Sequence, residues 1–91
     1  MPERINLREA EEKPSKEKIT EILFSLILKE PFKNKMHYIM TLSRSQSLDD
    51  MIREILIEAE KEGLVIVERD GQKRRYRLSE RGLKYLASIR G

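Results

Sequence analysis

The chain is expected to fold as a mainly α domain with a small β-hairpin, in the order helix, helix, helix, strand, strand, helix. Three observations predict this. Apolar residues recur at helical spacing in three successive segments, and Gly63 ends the third. A β-branched run, an Asp-Gly pair and an alternating basic run then read as a hairpin. A last apolar-periodic stretch opens at Ser79. With 91 residues, 38% of them hydrophobic and 38% charged, the chain suffices for one small core and leaves little for a deep substrate cavity.

Residues 1–14 read as a flexible polar arm, with charges of both signs, Pro2 and Pro14, and only Ile5, Leu7 and Ala10 to bury. A domain over 15–91 follows. Ser15 sits where an N-cap would, and Ile19, Ile22, Leu23, Leu26 and Ile27 form one buried face of a helix over about 16–29. Phe24 and Leu28 make a second stripe off that face. Pro31 ends this helix, and Met36, Ile39, Met40 and Leu42 give a second one over about 35–42. Ser47 with Asp50 resembles a capping box opening the third, which carries Leu48, Met51, Ile52, Ile55, Leu56 and Ala59 inward. Gly63 supplies its left-handed stop. The strand pair runs from Leu64 to Glu68 and from Lys73 to Leu78. A two-residue turn at Asp70-Gly71 sets Glu68 opposite Lys73 and Val65 opposite Tyr76. The last helix carries Leu83, Leu86 and Ala87 on one face, with Tyr85 and Ile89 beside it.

The sequence has no cysteine, which excludes disulfides, thiolate zinc sites and cysteine nucleophiles and suits a reducing cytosol. Its single histidine, His37, has no neighbouring cysteine or second histidine to complete a metal site, and nothing assembles into a catalytic triad. No phosphate-cradling glycine loop, effector pocket or cofactor motif is recognisable. The chain therefore reads as a binding protein without enzymatic activity, metal or cofactor. The longest apolar stretch, Ile22 to Leu28, is far too short to cross a bilayer, and no apolar signal core precedes it, so a cytoplasmic protein is expected. Abundant Glu, Lys and Arg suit a thermophile's protein.

Net charge is only +3, but it is unevenly placed. Residues 41–63 hold six acidic and three basic side chains, whereas 64–91 hold three acidic and eight basic. Arg69, Lys73, Arg74, Arg75 and Arg77 fall within nine residues, the local concentration that marks a polyanion footprint better than total charge does.

Three helices followed by a hairpin, with a glycine between the third helix and the first strand, is the order of a winged helix-turn-helix domain. The run Glu62-Gly63-Leu64-Val65, continued by Asp70-Gly71-Gln72-Lys73-Arg74-Arg75-Tyr76-Arg77-Leu78-Ser79-Glu80-Arg81-Gly82-Leu83, resembles the wing and closing helix of PadR-like and MarR-like regulators. The likeness is specific over 62–86 and topological over 16–61. It implies binding of double-stranded DNA as a homodimer, with the third helix in the major groove and the wing on the minor groove or backbone. PadR-like proteins usually dimerise through longer C-terminal helices than the stretch that follows Ser79 here.

Candidate DNA contacts follow from residue chemistry. In the wing these are Arg69, Gln72, Lys73, Arg74, Arg75 and Arg77, able to neutralise phosphates or enter a narrow minor groove; the alternative is ordinary charge on a solvated strand. In the turn before the third helix they are Arg44, Ser45, Gln46 and Ser47, or else these are linker residues. Lys33 and Lys35 are candidates for backbone phosphate or for simple loop solubility. Arg53 shares the outward side of the third helix with Asp49, Asp50, Glu54, Ile57 and Glu58, an acidic surface for approaching DNA. Asp49 and Asp50 either favour the positive end of the helix dipole or accept from cytosine N4. That acidity keeps a second function open, a winged helix that binds protein instead of DNA. The spare stripes Phe24 and Leu28, and Tyr85 and Ile89, are the expected dimer interface.

Overall fold

The computed structural model describes residues 15–90; the arm expected over 1–14 lies outside them. The elements follow the expected order: α1 (Lys16–Lys29), α2 (Lys35–Leu42), α3 (Gln46–Lys61), β1 (Val65–Asp70), β2 (Lys73–Leu78) and α4 (Glu80–Arg90). Each helix starts at a side chain that accepts one of its unpaired N–H groups. The Oγ of Ser15 accepts from Lys18 N, Asn34 Oδ1 from His37 N, Ser45 Oγ from Leu48 N and Ser79 Oγ from Gly82 N. The cap of α3 is thus Ser45, not Ser47, and Ser47 and Asp50 lie inside the helix. Ser45 wins because its extended backbone (φ −153°, ψ 161°) aims its hydroxyl at the first turn. The earlier start leaves Ser43-Arg44-Ser45 as the short turn of a helix-turn-helix.

At its other end α3 closes in a Schellman motif. Gly63, at φ 78°, donates to Glu60 O, and Leu64 N reaches back to Ala59 O at 2.8 Å. The chain leaves directly into β1. Strand pairing is antiparallel, with Val65 opposite Leu78, Val67 opposite Tyr76, Glu68 opposite Arg75, Arg69 opposite Arg74 and Asp70 opposite Lys73. The register expected from an Asp70-Gly71 turn is therefore wrong by two residues. The loop is Gly71-Gln72, with Gly71 alone at positive φ (65°), the requirement of a type II′ turn. A turn centred on Asp70-Gly71 would place Asp70 in the left-handed region as well, whereas the Gly71-Gln72 turn asks positive φ of the glycine alone.

The core joins Leu23, Phe24 and Ile27 of α1 to Tyr38, Ile52, Leu56, Val65, Tyr76 and Leu86. Phe24 is 0% exposed, so it is not available for the dimer interface proposed from its stripe. The ring of Tyr85 lies edge-on against it, centroids 5.8 Å apart, because α4 packs along α1 and closes over it. Full burial of such a side chain stabilises the single chain by roughly 1.5–3 kcal/mol. The inward face of α4 is Gly82 and Leu86, while Leu83 and Ala87 turn outward, against expectation. Gly82 sets that orientation: a Cβ there would overlap the Leu64 carbonyl oxygen, so the helix backbone approaches the β1 entry as no other residue would allow. Ile22, also expected inward, is 40% exposed.

A third segment joins the hairpin edge. Phe32 N donates to Tyr76 O at 2.8 Å and Tyr76 N to Lys33 O at 2.9 Å, forming an isolated bridge beside β2. Three helices, this bridge, the two-stranded wing and a closing helix make the arrangement of a winged helix-turn-helix domain.

Candidate nucleic-acid interface

The wing has two chemically different faces, and the register decides which charge falls on which. One face carries Ile66, Glu68 and Asp70 with Arg77, Arg75 and Lys73. There Arg77 Nε donates to Glu68 at 2.6 Å, and Arg75 lies 3.4 Å from Asp70, so two of the three cations are answered by carboxylates. The other face begins with Val65, Leu78, Val67 and Tyr76 in the core and ends near the tip with Arg69 directly opposite Arg74. Like charges opposed across a strand pair destabilise it. Neither arginine has an ion-pair partner among the described residues, and both are exposed. The expectation of a register two residues shorter sets Arg69 beside Gln72 and hides this pair. Reading Gly71 as the first residue of a type II′ turn, in place of the second of a type I′ turn, is what finds it.

Tyr76 marks where this face leaves the core. Burial raises its phenol above the usual tyrosine range, the Glu60 carboxylate adds to the rise, and Arg74 opposes it.

On α3 the picture reverses. Its exposed residues include Gln46, Ser47, Asp50, Glu54 and Glu60, with Ile57 at 61% exposure among them. Arg53, offered as a contact, is half-buried and lies 3.6 Å from Asp49 in an i, i+4 pair. Ser45 is engaged by Leu48 N as the helix cap, so of the four turn candidates Arg44, Gln46 and Ser47 carry exposed side chains with no such duty.

Lys33 and Lys35 flank Asn34 at the entry to α2, facing the distal half of β2 across a groove of about 560 Å³. Lys73, Arg74, Arg75 and Gln72 line its other side, so the candidates from the two ends of the sequence meet there. Phe32 and Met36 also line it, and sequence reasoning missed both. Their signal, an aromatic beside a proline in a basic loop, becomes legible only once Lys33 is known to bridge Tyr76. His37, at the groove's inner end, lies 3.1 Å from Glu30. The bridge is held from inside by Tyr38, whose hydroxyl donates to Glu30 O at 2.7 Å, accepts from Lys33 N at 3.2 Å and lies 3.4 Å from Tyr76 O. Burial raises this phenol above its usual range too.

Of the expected dimer residues, Leu28 and Tyr85 are exposed and Ile89 is half-buried against the core. No helix among the described residues is long and apolar enough to cross a membrane.

No protein-family model matches this chain, and no curated protein sequence does. Two solved structures are similar in fold. One is smu.1704 from Streptococcus mutans, at 21% identity and a TM-score of 0.63, covering 84% of this chain and 76% of that one. The other, described as a predicted DNA-binding transcriptional regulator from E. coli, is 15% identical, with a TM-score of 0.57 over 98% of this chain and 90% of that one. At those identities the likeness is one of architecture, and it agrees with the winged-helix arrangement reached from the elements themselves.

Proposed function

We propose that the protein binds double-stranded DNA through its wing and acts as a transcriptional regulator. The observation that carries this is the opposition of Arg69 and Arg74 at the tip, a pair that is costly in the free protein and is relieved by a polyanion. Phosphates bring the counter-charge, and release of their condensed counterions supplies affinity. Lys33, Lys35 and Lys73 extend the same positive surface, while Arg44, Gln46 and Ser47 stand at the start of α3, where base edges are read. The resemblance of residues 62–86 to PadR-like and MarR-like regulators supports the reading, as does the description of the E. coli protein of similar fold.

The regulator works as a homodimer, since a helix-turn-helix reads two half-sites about one helical turn apart. With Phe24 inside, Leu28 and Tyr85 are the apolar surface that α1 and α4 offer a second copy, with Ile89 beside them. Replacing Leu28 and Tyr85 with polar residues is expected to halve the light-scattering mass, and an unchanged mass rejects this interface.

The function is tested by a mobility shift of random duplex DNA at increasing salt. Binding at low salt that weakens linearly in log–log form supports it. A second reading is favoured by one observation: exposed Ile57 amid Asp50, Glu54 and Glu60 suits a basic protein partner more than phosphate. Absence of any shift at low salt would decide for that partner.

A further inference from the structure

The groove between the α2 entry and β2 has a feature that ordinary backbone contact does not require. Phe32 stands at φ 67°, in the left-handed region where a bulky side chain is strained, and it is 48% exposed. The conformation persists because the bridge to Tyr76 fixes Phe32 by its own N–H and by the carbonyl of Lys33. Its ring is thereby held at the lip of the groove beside Met36 rather than folded into the core. Around these two apolar side chains stand Lys33, Lys35, Lys73 and Arg74, none with an ion-pair partner among the described residues. An apolar platform ringed by cations is complementary to an unpaired nucleotide, whose base has a π-face and whose flanking phosphates are negative. The volume, about 560 Å³, falls within the roughly 300–1,000 Å³ of small-ligand sites.

We infer that this groove holds an unpaired nucleotide, its base stacked on Phe32 and its phosphates on the surrounding lysines and Arg74. The protein then prefers duplex carrying a single-stranded end or bubble over a blunt duplex. This rests on the nucleic-acid reading above and adds a second contact to the wing's.

The test uses fluorescence anisotropy of the full chain with a blunt duplex and with the same duplex bearing a short oligothymidine overhang. Wild type is expected to bind the overhang roughly five-fold or more tightly than the blunt end, the usual scale of one stacked base. Phe32→Gly is expected to abolish that preference, bringing affinity for the overhang probe down to that for the blunt duplex. Because glycine relieves the φ of 67°, the same variant is expected to melt no lower than wild type, and Phe32→Tyr should retain the preference. Should Phe32→Gly fail to fold, Phe32→Leu keeps the apolar bulk without a ring and carries the same expectation. Equal binding of both probes by wild type, or a preference that survives loss of the ring, overturns the inference and leaves duplex binding standing. Failure to bind either probe overturns both. Displacement of the overhang probe by polyglutamate as effectively as by oligothymidine overturns it in favour of an acidic peptide.

Discussion

The outward face of α3 and the tip of the wing bear opposite charge in one small domain. Along α3, Asp50, Glu54 and Glu60 are exposed where a recognition helix would meet phosphate. On the wing, Arg69 and Arg74 face each other near the tip, while Arg75 and Arg77 on the reverse side are already paired with Asp70 and Glu68. Counting basic residues treats all four wing arginines alike; register separates two that are committed to carboxylates from two that are not. Under the proposed function, affinity for a polyanion would come from the wing and the α2 entry, and selection from the N-terminal turn of α3, whose exposed carboxylates would repel phosphate.

The largest expected effect breaks the frame that holds both regions. Gly82→Ala forces a methyl group into the Leu64 carbonyl, the junction of α3, β1 and α4. Overpacking of this kind costs roughly 1–3 kcal/mol or more, so a melting temperature lower by about 10 °C is expected in calorimetry. Removing the unpaired charge comes next. Arg69→Ala with Arg74→Ala should weaken binding to all duplex sequences and flatten the plot of log K against log salt by about 1.8, from two phosphates at roughly 0.9 each. The matched control, Arg75→Ala with Arg77→Ala, should flatten it far less and change stability by under about 1 kcal/mol, as exposed ion pairs do. Equal flattening by both pairs would show that the two faces of the wing are equivalent.

On α3 the sign reverses. Asp50→Asn with Glu54→Gln should strengthen duplex binding by roughly three-fold at low salt, with the gain fading as salt screens it. A loss of affinity for a selected site, with none for random duplex, would instead assign Asp50 to cytosine N4. The smallest effect on total affinity is expected from Gln46→Ala, which should erase preference for a selected sequence, worth roughly 1–3 kcal/mol, and leave random duplex binding nearly as it was.

The helices were legible because their signals are local. Apolar spacing, the caps Ser15 and Ser79, and Gly63 act within one or two turns; the start of α3 at Ser45 instead of Ser47, and the outward positions of Ile22, Leu83 and Ala87, depend on how the helices pack. The strand register was not legible from the apolar pattern, since a slip of two residues returns every side chain to the same face. It is settled by Asp70, which has no positive φ and pairs with Lys73 as the last strand residue, leaving Gly71-Gln72 as the turn. Phe24 and Leu28 looked alike on α1, and only the position of α4 distinguishes the one it covers from the one it leaves exposed. Candidate wing contacts were recognisable by residue type. Their division into paired and unpaired arginines, and the meeting of Lys33 and Lys35 with β2 around Phe32, depend on contacts between residues far apart in sequence, which no local pattern encodes.

Tyr38 gives those distant contacts a mechanical meaning. One phenolic oxygen gathers the last carbonyl after α1, the amide of Lys33 and the neighbourhood of the Tyr76 carbonyl, so three segments share a single pin. The groove lip and the wing strand are both held beside it, Lys33 by its amide and Tyr76 by its carbonyl. The bridge from Lys33 to Tyr76 carries the same connection along β2 toward the wing tip. The loop that presents Phe32 and the basic strand β2 are thus joined through one oxygen of a residue that lines neither the groove nor the wing tip.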